Sequence, residues 1–299
     1  MTIKDRKTIM IGLKKLFVCG WCVVLLVACG QSYETKQKLS RAERARLKTA
    51  DSLALKVAVM PTIDCLPLFL ADDHRLFDTL GVDVRLRLRK AQMDIDTALI
   101  GGSVEGAVSD SVRVARMQNR GTALVELGTT NTSWQLIGNR SARLKEVKQL
   151  GDKMVAMTRY SATDFLTDHV LTGVKTTATV YRVQINDVLL RLQMLLNNEM
   201  DALWLPEPQA TTARLHGHTV LWDTQKHNLW LGRVVFREKA MNDDRVRKQI
   251  DVFKRAYNMA CDSLNQRGVA AYSDLVAKYC QADQKTLDAM PKMKFKKLN

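Results

Sequence analysis

The sequence predicts an α/β protein of two lobes, each a mostly parallel sheet flanked by helices. Three features predict it. Short apolar strands alternate with helical patterns from residue 54 to residue 128, the β-α-β order of a parallel sheet covered by helices. A second series of the same kind occupies residues 134–222, after the polar, turn-rich Thr129-Thr130-Asn131-Thr132-Ser133. One more apolar strand, Leu229–Phe236, then precedes a run of helical patterns. A chain of 299 residues, 46% hydrophobic and 26% charged, is ample for two such lobes.

The first 52 residues stand outside this fold. Lys4, Arg6, Lys7, Lys14 and Lys15 accompany a 13-residue apolar run, Leu16–Ala28, shorter than the roughly 20 residues a membrane-spanning helix needs. The run ends in Leu26-Val27-Ala28-Cys29, which looks like a bacterial lipobox. Residues 1–28 therefore read as a lipoprotein signal peptide and Cys29 as the acylated residue that tethers the protein to a membrane, facing the periplasm of a bacterial envelope. Gly30, rather than Asp, follows the cysteine and leaves inner and outer membrane both open. Residues 29–52 are polar and basic, with too few large apolar side chains to bury a core, and read as a tether that is partly helical.

The formal charge of +15 raises the question of nucleic acid, and its distribution answers it. Removing the +8 of residues 1–50 and the +4 of residues 292–299 leaves only +3 for the body. No basic face interleaved with aromatics emerges, so nucleic acid is not expected as a partner.

Within the body, Leu53–Met60 is a strand ended by Pro61, and Leu66–Phe77 carries helical apolar spacing up to Gly81. Val82–Arg89 alternates apolar with charged residues, the pattern of an edge strand or one with a wet face. A helix over Met93–Ile100, a short strand at Val104–Asp110, a helix over Ser111–Gln118 and a strand at Thr122–Gly128 complete the first series. The second series has strands at Trp134–Gly138, Met154–Met157, Tyr181–Ile185, Met200–Leu205 and Thr219–Trp222. Its helices are Leu144–Leu150, one opening at Ser161 or Thr163, Asp187–Asn197 capped by Asn186, and Gln209–Leu215. Helical patterns at Asp243–Gln266, Gly268–Tyr279 and Gln281–Met290 follow. The domain boundaries are 53–130 with 226–299 for the first lobe and 131–225 for the second.

Of the cysteines, Cys19 and Cys22 leave with the signal, and Cys65, Cys261 and Cys280 remain in the body. Cys261 and Cys280 lie on consecutive helical patterns and are either bonded to each other or two buried thiols. His216-Gly217-His218 reads as a solvated pair in a turn. No catalytic pair, metal-ligand spacing or cofactor motif is read, and no cofactor is expected.

The stretch Lys153–Leu166 carries the most chemistry. It reads as a buried strand, a turn, and a helix whose Ser161 or Thr163 hydroxyl caps its start. Free N–H groups and the positive helix end form a site for a carboxylate, sulfonate or phosphate. On its own the stretch reads first as an ordinary helix cap on an α/β crossover.

Four motifs extend that reading. Gly151–Thr163 resembles the "G-K-K-V-A-x-x-x-G-S-A-T" element of the nitrate/sulfonate/taurine and thiamine-precursor (NMT1/THI5-like) binding group, within the periplasmic solute-binding proteins of ABC transporters. Tyr160 replaces a glycine common in that turn. Asn198–Pro208 resembles the group's "G-x-x-D-A-x-x-x-x-E-P" element, and Pro61–Phe77 and Glu105–Asp110 resemble its first loop-helix and its short "D-A/G-A" strand. The resemblance implies a type II periplasmic-binding-protein fold, and the lipobox with the absence of a paired general acid and base or any nucleophile motif argues against enzyme activity. The resemblance also implies a ligand site at the carboxyl ends of strands: Thr62, Asp64, Ser109, Asp110, Ser161, Ala162, Thr163 and Glu207. Open α/β sheets bind ligands there. Asp64, Asp110 and Glu207 beside an anion-ready helix start point to a small polar solute, namely a zwitterion, a sulfonate or a pyrimidine-like ring. The expected function is capture of that solute between two lobes for an ABC permease. The alternatives are an enzyme on the same fold, of the menaquinone- or thiamine-precursor synthesis type, and a sensor or scaffold lipoprotein.

Overall fold

The computed structural model describes residues 41–299. The signal peptide, the lipobox and Cys29 lie outside the described residues. Residues 41–53 form one unit, the helix α1 (Arg41–Leu53), within the predicted tether. Residues 54–299 form the second unit, which holds both sheets. No helix among the described residues is long and apolar enough to cross a membrane.

The first sheet begins with β1 (Leu55–Val59), whose apolar side chains are buried on both faces as a covered parallel strand requires. Pro61 ends the strand, a turn of 3-10 helix follows at Ile63–Cys65, and α2 (Leu66–Asp73) opens with Pro67 in its first turn. The predicted single helix Leu66–Phe77 is instead two, α2 and α3 (Leu76–Thr79), because Arg75 between them adopts a left-handed backbone with φ 55°. Next come β2 (Val84–Leu88), α4 (Gln92–Gly101), β3 (Gly106–Asp110), α5 (Ser111–Asn119) and β4 (Leu124–Thr129). As its alternation foretold, β2 is an edge strand, paired only with β1.

The second sheet is built from β5 (Trp134–Gly138), β6 (Met154–Met157), β7 (Tyr181–Gln184), β8 (Ala202–Pro206) and β9 (Thr219–Asp223). Its helices are α6 (Ala162–Leu171), α7 (Val188–Leu196) and α8 (Gln209–Leu215). The predicted helix at Leu144–Leu150 is only a 3-10 turn, Val147–Leu150. The cap of α7 is Asp187 rather than the predicted Asn186: its carboxylate accepts the amides of Leu189 and Leu190. Then β10 (Gly232–Arg237), α9 (Glu238–Met241), α10 (Asp244–Arg267), α11 (Ser273–Cys280) and α12 (Gln284–Ala289) return to the first sheet.

The two sheets share one topology. Their orders are β2-β1-β3-β10-β4 and β7-β6-β8-β5-β9. In each, three neighbouring strands are parallel and the fourth, antiparallel to both its neighbours, is the first strand after the chain has crossed from the other sheet. The expectation of mostly parallel sheets is thus refined to two mixed ones. The inserted strand is reached from the far sheet, beyond the range of local β-α-β patterning. Only two crossings join the halves, residues 130–133 and residues 224–231.

Packing behind the first sheet is set by α10, whose Phe253 ring meets those of Phe77 and Phe236 at centroid distances of 5.9 and 5.3 Å. Gly106 makes room for Phe236, because a Cβ there would lie 2.6 Å from the ring. Cys65, Cys261 and Cys280 are free and buried. Burial pushes the Cys261 thiol up to about 12 and the other two higher than an ordinary thiol. Alkylation of the native protein therefore leaves all three unmodified, and alkylation in denaturant without reductant modifies all three. Peptide mass mapping that found Cys261 and Cys280 protected in denaturant would contradict free thiols.

Candidate functional site between the two sheets

The loops that follow the carboxyl ends of β1 and β3 face those that follow β6 and β8, and a cavity of about 40 Å³ lies between them. Its floor is apolar, with Met60, Ile95, Val108, Trp134, Val188 and Pro206. Thr62, Asp64 and Ser109, three of the predicted ligand residues, line it together.

Asp64 is placed by the 3-10 turn after Pro61 and is only 4% exposed. Its Oδ2 accepts hydrogen bonds from Thr130 Oγ1, at 3.2 Å, and from Thr132 Oγ1, both on the first crossing. Its Oδ1 is buried without a partner. A buried carboxylate oxygen without a donor is costly, so this atom is where a ligand cation or N–H gains most.

Two arginines complete the lining. Arg113, from α5, is bonded through Nε to Asp96 Oδ1 at 2.8 Å and through Nη2 to Asp96 Oδ2. Its charge is thereby compensated. Arg191, from α7, is 2% exposed and donates to Ile185 O at 2.7 Å, to Trp204 O at 2.9 Å and to Thr158 Oγ1. All three acceptors are neutral. Burial lowers its pKa to about 10, with the charge of Asp187 opposing that shift. Arg191 is a buried cation with no carboxylate bonded to it, which makes the cavity attractive to an anion.

Asp110 and Ala162 meet beside the cavity rather than in it. Asp110 Oδ1 accepts the amides of Val112 at 3.1 Å and Arg113 at 3.0 Å, capping α5, and also the Ala162 amide at 3.0 Å at the start of α6. A carboxylate of the first sheet's half thus occupies the helix start that the sequence reserved for a solute anion. Its Oδ2 has no partner, and burial raises its pKa to about 6, against the lowering effect of the amides and of Arg113.

Ser161 and Thr163 are fully buried and turned to their own loop. Ser161 Oγ donates to Thr158 O at 2.7 Å and accepts from the Thr163 amide, and Thr163 Oγ1 accepts from the Thr158 amide at 2.9 Å. Glu207, expected as a ligand contact, is 1% exposed and paired. Its Oε1 faces Arg214 Nη1 at 2.9 Å and its Oε2 accepts from Thr211 N and Oγ1. The three carboxylates do not converge on one ligand: among them only Asp64 lines the cavity.

Further contacts draw the two halves together. The Ile63 amide donates to Glu207 O at 3.1 Å, Gln209 Nε2 donates to Pro61 O at 3.0 Å, and the Arg116 guanidinium lies 3.5 Å from the Tyr160 ring centroid. Tyr160, at the position where glycine is common, keeps a left-handed backbone with φ 59°. His218, read as solvated, is buried, with Nδ1 accepting the Arg140 amide. No group of side chains among the described residues could hold a metal ion.

Sequence reasoning missed Arg191, although a signal was there. It sits three residues after Val188 and four before Leu195, on the buried face of a helix that is apolar apart from it and Gln193. Arg113 gave no such signal, since nothing in Ser111–Asn119 distinguishes it from Arg116.

The NMT1/THI5-like family model matches residues 62–264. No curated protein sequence matches significantly. Similar solved structures include the alkanesulfonate-binding protein SsuA from Xanthomonas axonopodis pv. citri bound to MOPS, 17% identical, with TM-score 0.69 over 82% of this chain and 86% of that one. The periplasmic nitrate-binding protein NrtA from Synechocystis PCC 6803 is 14% identical, with TM-score 0.67 over 78% and 68%. A Candida albicans gene product described as having the generic periplasmic binding protein structural fold is 14% identical, with TM-score 0.62 over 79% of each chain. These likenesses establish the fold.

The buried Asp110 carboxyl holds its proton more tightly than the unfolded chain does. Its contribution to stability is full below pH about 4 and is lost as pH rises through about 6. Asp110→Asn keeps an acceptor oxygen for the three amides and carries no charge. Relative to the wild type, this variant gains up to roughly 3 kcal/mol between pH about 4 and about 7 in denaturant titrations. Parallel pH curves for the two proteins would contradict a buried, charge-penalised carboxyl.

Proposed function

The chain belongs to the NMT1/THI5-like family, and from that premise we propose that it is a membrane-tethered, extracytoplasmic solute-binding protein that captures a small polar solute between two lobes for an ABC importer. The lobes are residues 53–130 with 226–299, and residues 131–225. Cys29 is the lipid anchor, and an ABC permease is the partner that receives the solute. Capture without chemistry is the reading in keeping with similar structures described as binding proteins.

One observation carries the proposal: the cavity between the sheets presents an unpartnered carboxylate oxygen, Asp64 Oδ1, together with an uncompensated guanidinium, Arg191. An anion answers the second and a cation or N–H donor the first. A solute with both, a compact zwitterion such as an amino acid or amino sulfonate, satisfies the site in full. Thr62, Ser109 and Gln92, whose Oε1 is also buried and unpartnered, supply further polar contacts. Asp110, Ser161, Ala162, Thr163 and Glu207 act around this centre, holding the strand ends and the α6 start in position for closure.

At about 40 Å³ the cavity holds roughly three water-sized spheres. A solute therefore enters by separation of the lobes and is enclosed when they meet again. A ligand that contacts both halves favours the closed arrangement by its differential affinity for it. Asp64 stands on the first half and Arg191 on the second.

A thermal-shift screen of amino acids, sulfonates, nitrate and pyrimidines tests the reading. The matching solute at 100 times its Kd stabilises the protein by about 2.7 kcal/mol. Asp64→Asn weakens a zwitterion by roughly tenfold or more while leaving a simple sulfonate little changed, because only the former uses a charge on Oδ1. Stabilisation by none of these solutes would contradict the proposal.

A further inference from the structure

The first crossing has two faces. Along residues 130–134, Thr130 and Thr132 bond Asp64 and Trp134 lines the cavity, while the alternate residues Asn131 and Ser133 face the opposite way. That alternation is what an extended segment imposes. On the far side they border a groove of about 860 Å³, separate from the solute cavity and within the size range of small-molecule sites. The second crossing supplies its opposite wall through Trp230, and residues 292–297 supply the third.

This third wall is a strap seated on α10. Asn265 Nδ2 donates to Phe295 O at 3.0 Å and Asn265 Oδ1 accepts the Phe295 amide at 2.8 Å. Asn258, seven residues earlier and so on the same helix face, makes the same pair of bonds to Leu298. Phe295 and Leu298 are buried, which leaves Lys292, Lys294 and Lys296 exposed at the groove. Lys297 is paired with Asp262 at 2.7 Å, but no ion pair engages the other three among the described residues. Lys296 Nζ lies 4.5 Å from the Trp230 ring centroid, and burial together with the charge of Arg233 lowers its pKa. At the groove's inner edge the Asn131 side chain is 5% exposed, and its Nδ2 is buried with no acceptor. Uncompensated ammonium groups and an orphaned buried donor converge on one space.

We propose that this groove is a second binding site, taking a phosphate group held by Lys294 and Lys296 and accepting a hydrogen bond from Asn131 Nδ2. Several lysine point charges suit a tetrahedral, multiply charged anion that accepts from many directions. Phosphate chemistry reaches an envelope protein either as a free phosphate or as a phospholipid headgroup. The site goes beyond the solute-binding reading and stands whether or not that reading holds.

The test is calorimetric titration of the full chain in phosphate-free buffer with two probes, inorganic phosphate and glycerophosphoglycerol, the deacylated headgroup of phosphatidylglycerol. At least one binds saturably, and the affinity falls roughly tenfold or more in Lys294→Gln/Lys296→Gln and in Asn131→Asp. Preference for phosphate identifies the free anion as the source, and preference for the diester identifies the lipid headgroup. Binding of neither probe overturns the site, as does binding undiminished in both groove variants.

Discussion

One carboxylate oxygen ties the two halves of the body together at the mouth of the cavity. Asp110 Oδ1 accepts amides from Val112 and Arg113 on its own side and from Ala162 on the other. Because the Ala162 amide is the first of α6, the bond also sets a negative charge against the positive end of that helix. Much of the geometry hangs on this meeting point. Arg113 is carried into the cavity wall by the helix that Asp110 caps, and its Nη1 reaches Arg159 O at 3.5 Å across the same seam. The Ser161–Thr163 turn presents its amide edge to Asp110 while its hydroxyls are spent inside the loop. A helix start that looks ready for an external anion therefore works as the socket for an internal one.

The crossings impose the second constraint. Gly232, at the start of β10, stands where they come closest: a Cβ there would lie 2.0 Å from Thr130 Oγ1 and 2.7 Å from Thr132 Oγ1. Its carbonyl accepts the Thr130 amide at 3.0 Å, and its register partner in β3 is Asp110 itself. The hydroxyls that clasp Asp64, the glycine that lets them approach, and the carboxylate that spans the seam thus form one contiguous structure.

Much of this architecture was legible in the sequence. The bounds of β5, β6 and α8 follow from apolar runs and their Pro, Gly and Thr borders, and the alternation of Val82–Arg89 marks β2 as an edge. Insertion of β10 between β3 and β4 was not legible, because pairing across more than 100 residues leaves no trace in local periodicity. Thr62, Asp64 and Ser109, named through the family resemblance, line one cavity together. Glu207 and Asp110 were readable as special but not as paired: their partners, Arg214 on the next helix and Ala162 in the other half, are fixed only by tertiary structure. Tyr160 shows the same limit, since its departure from glycine gives no sign that the ring serves as a platform for Arg116.

The proposed solute bridges the halves through Asp64 on one side and Arg191 on the other. A crystal structure of the protein with the solute that stabilises it most tests this bridge. The solute's acidic group is expected within about 3 Å of the Arg191 guanidinium and its amine or N–H within about 3 Å of Asp64 Oδ1. A solute bound elsewhere, or one held in the cavity without touching either side chain, would contradict it.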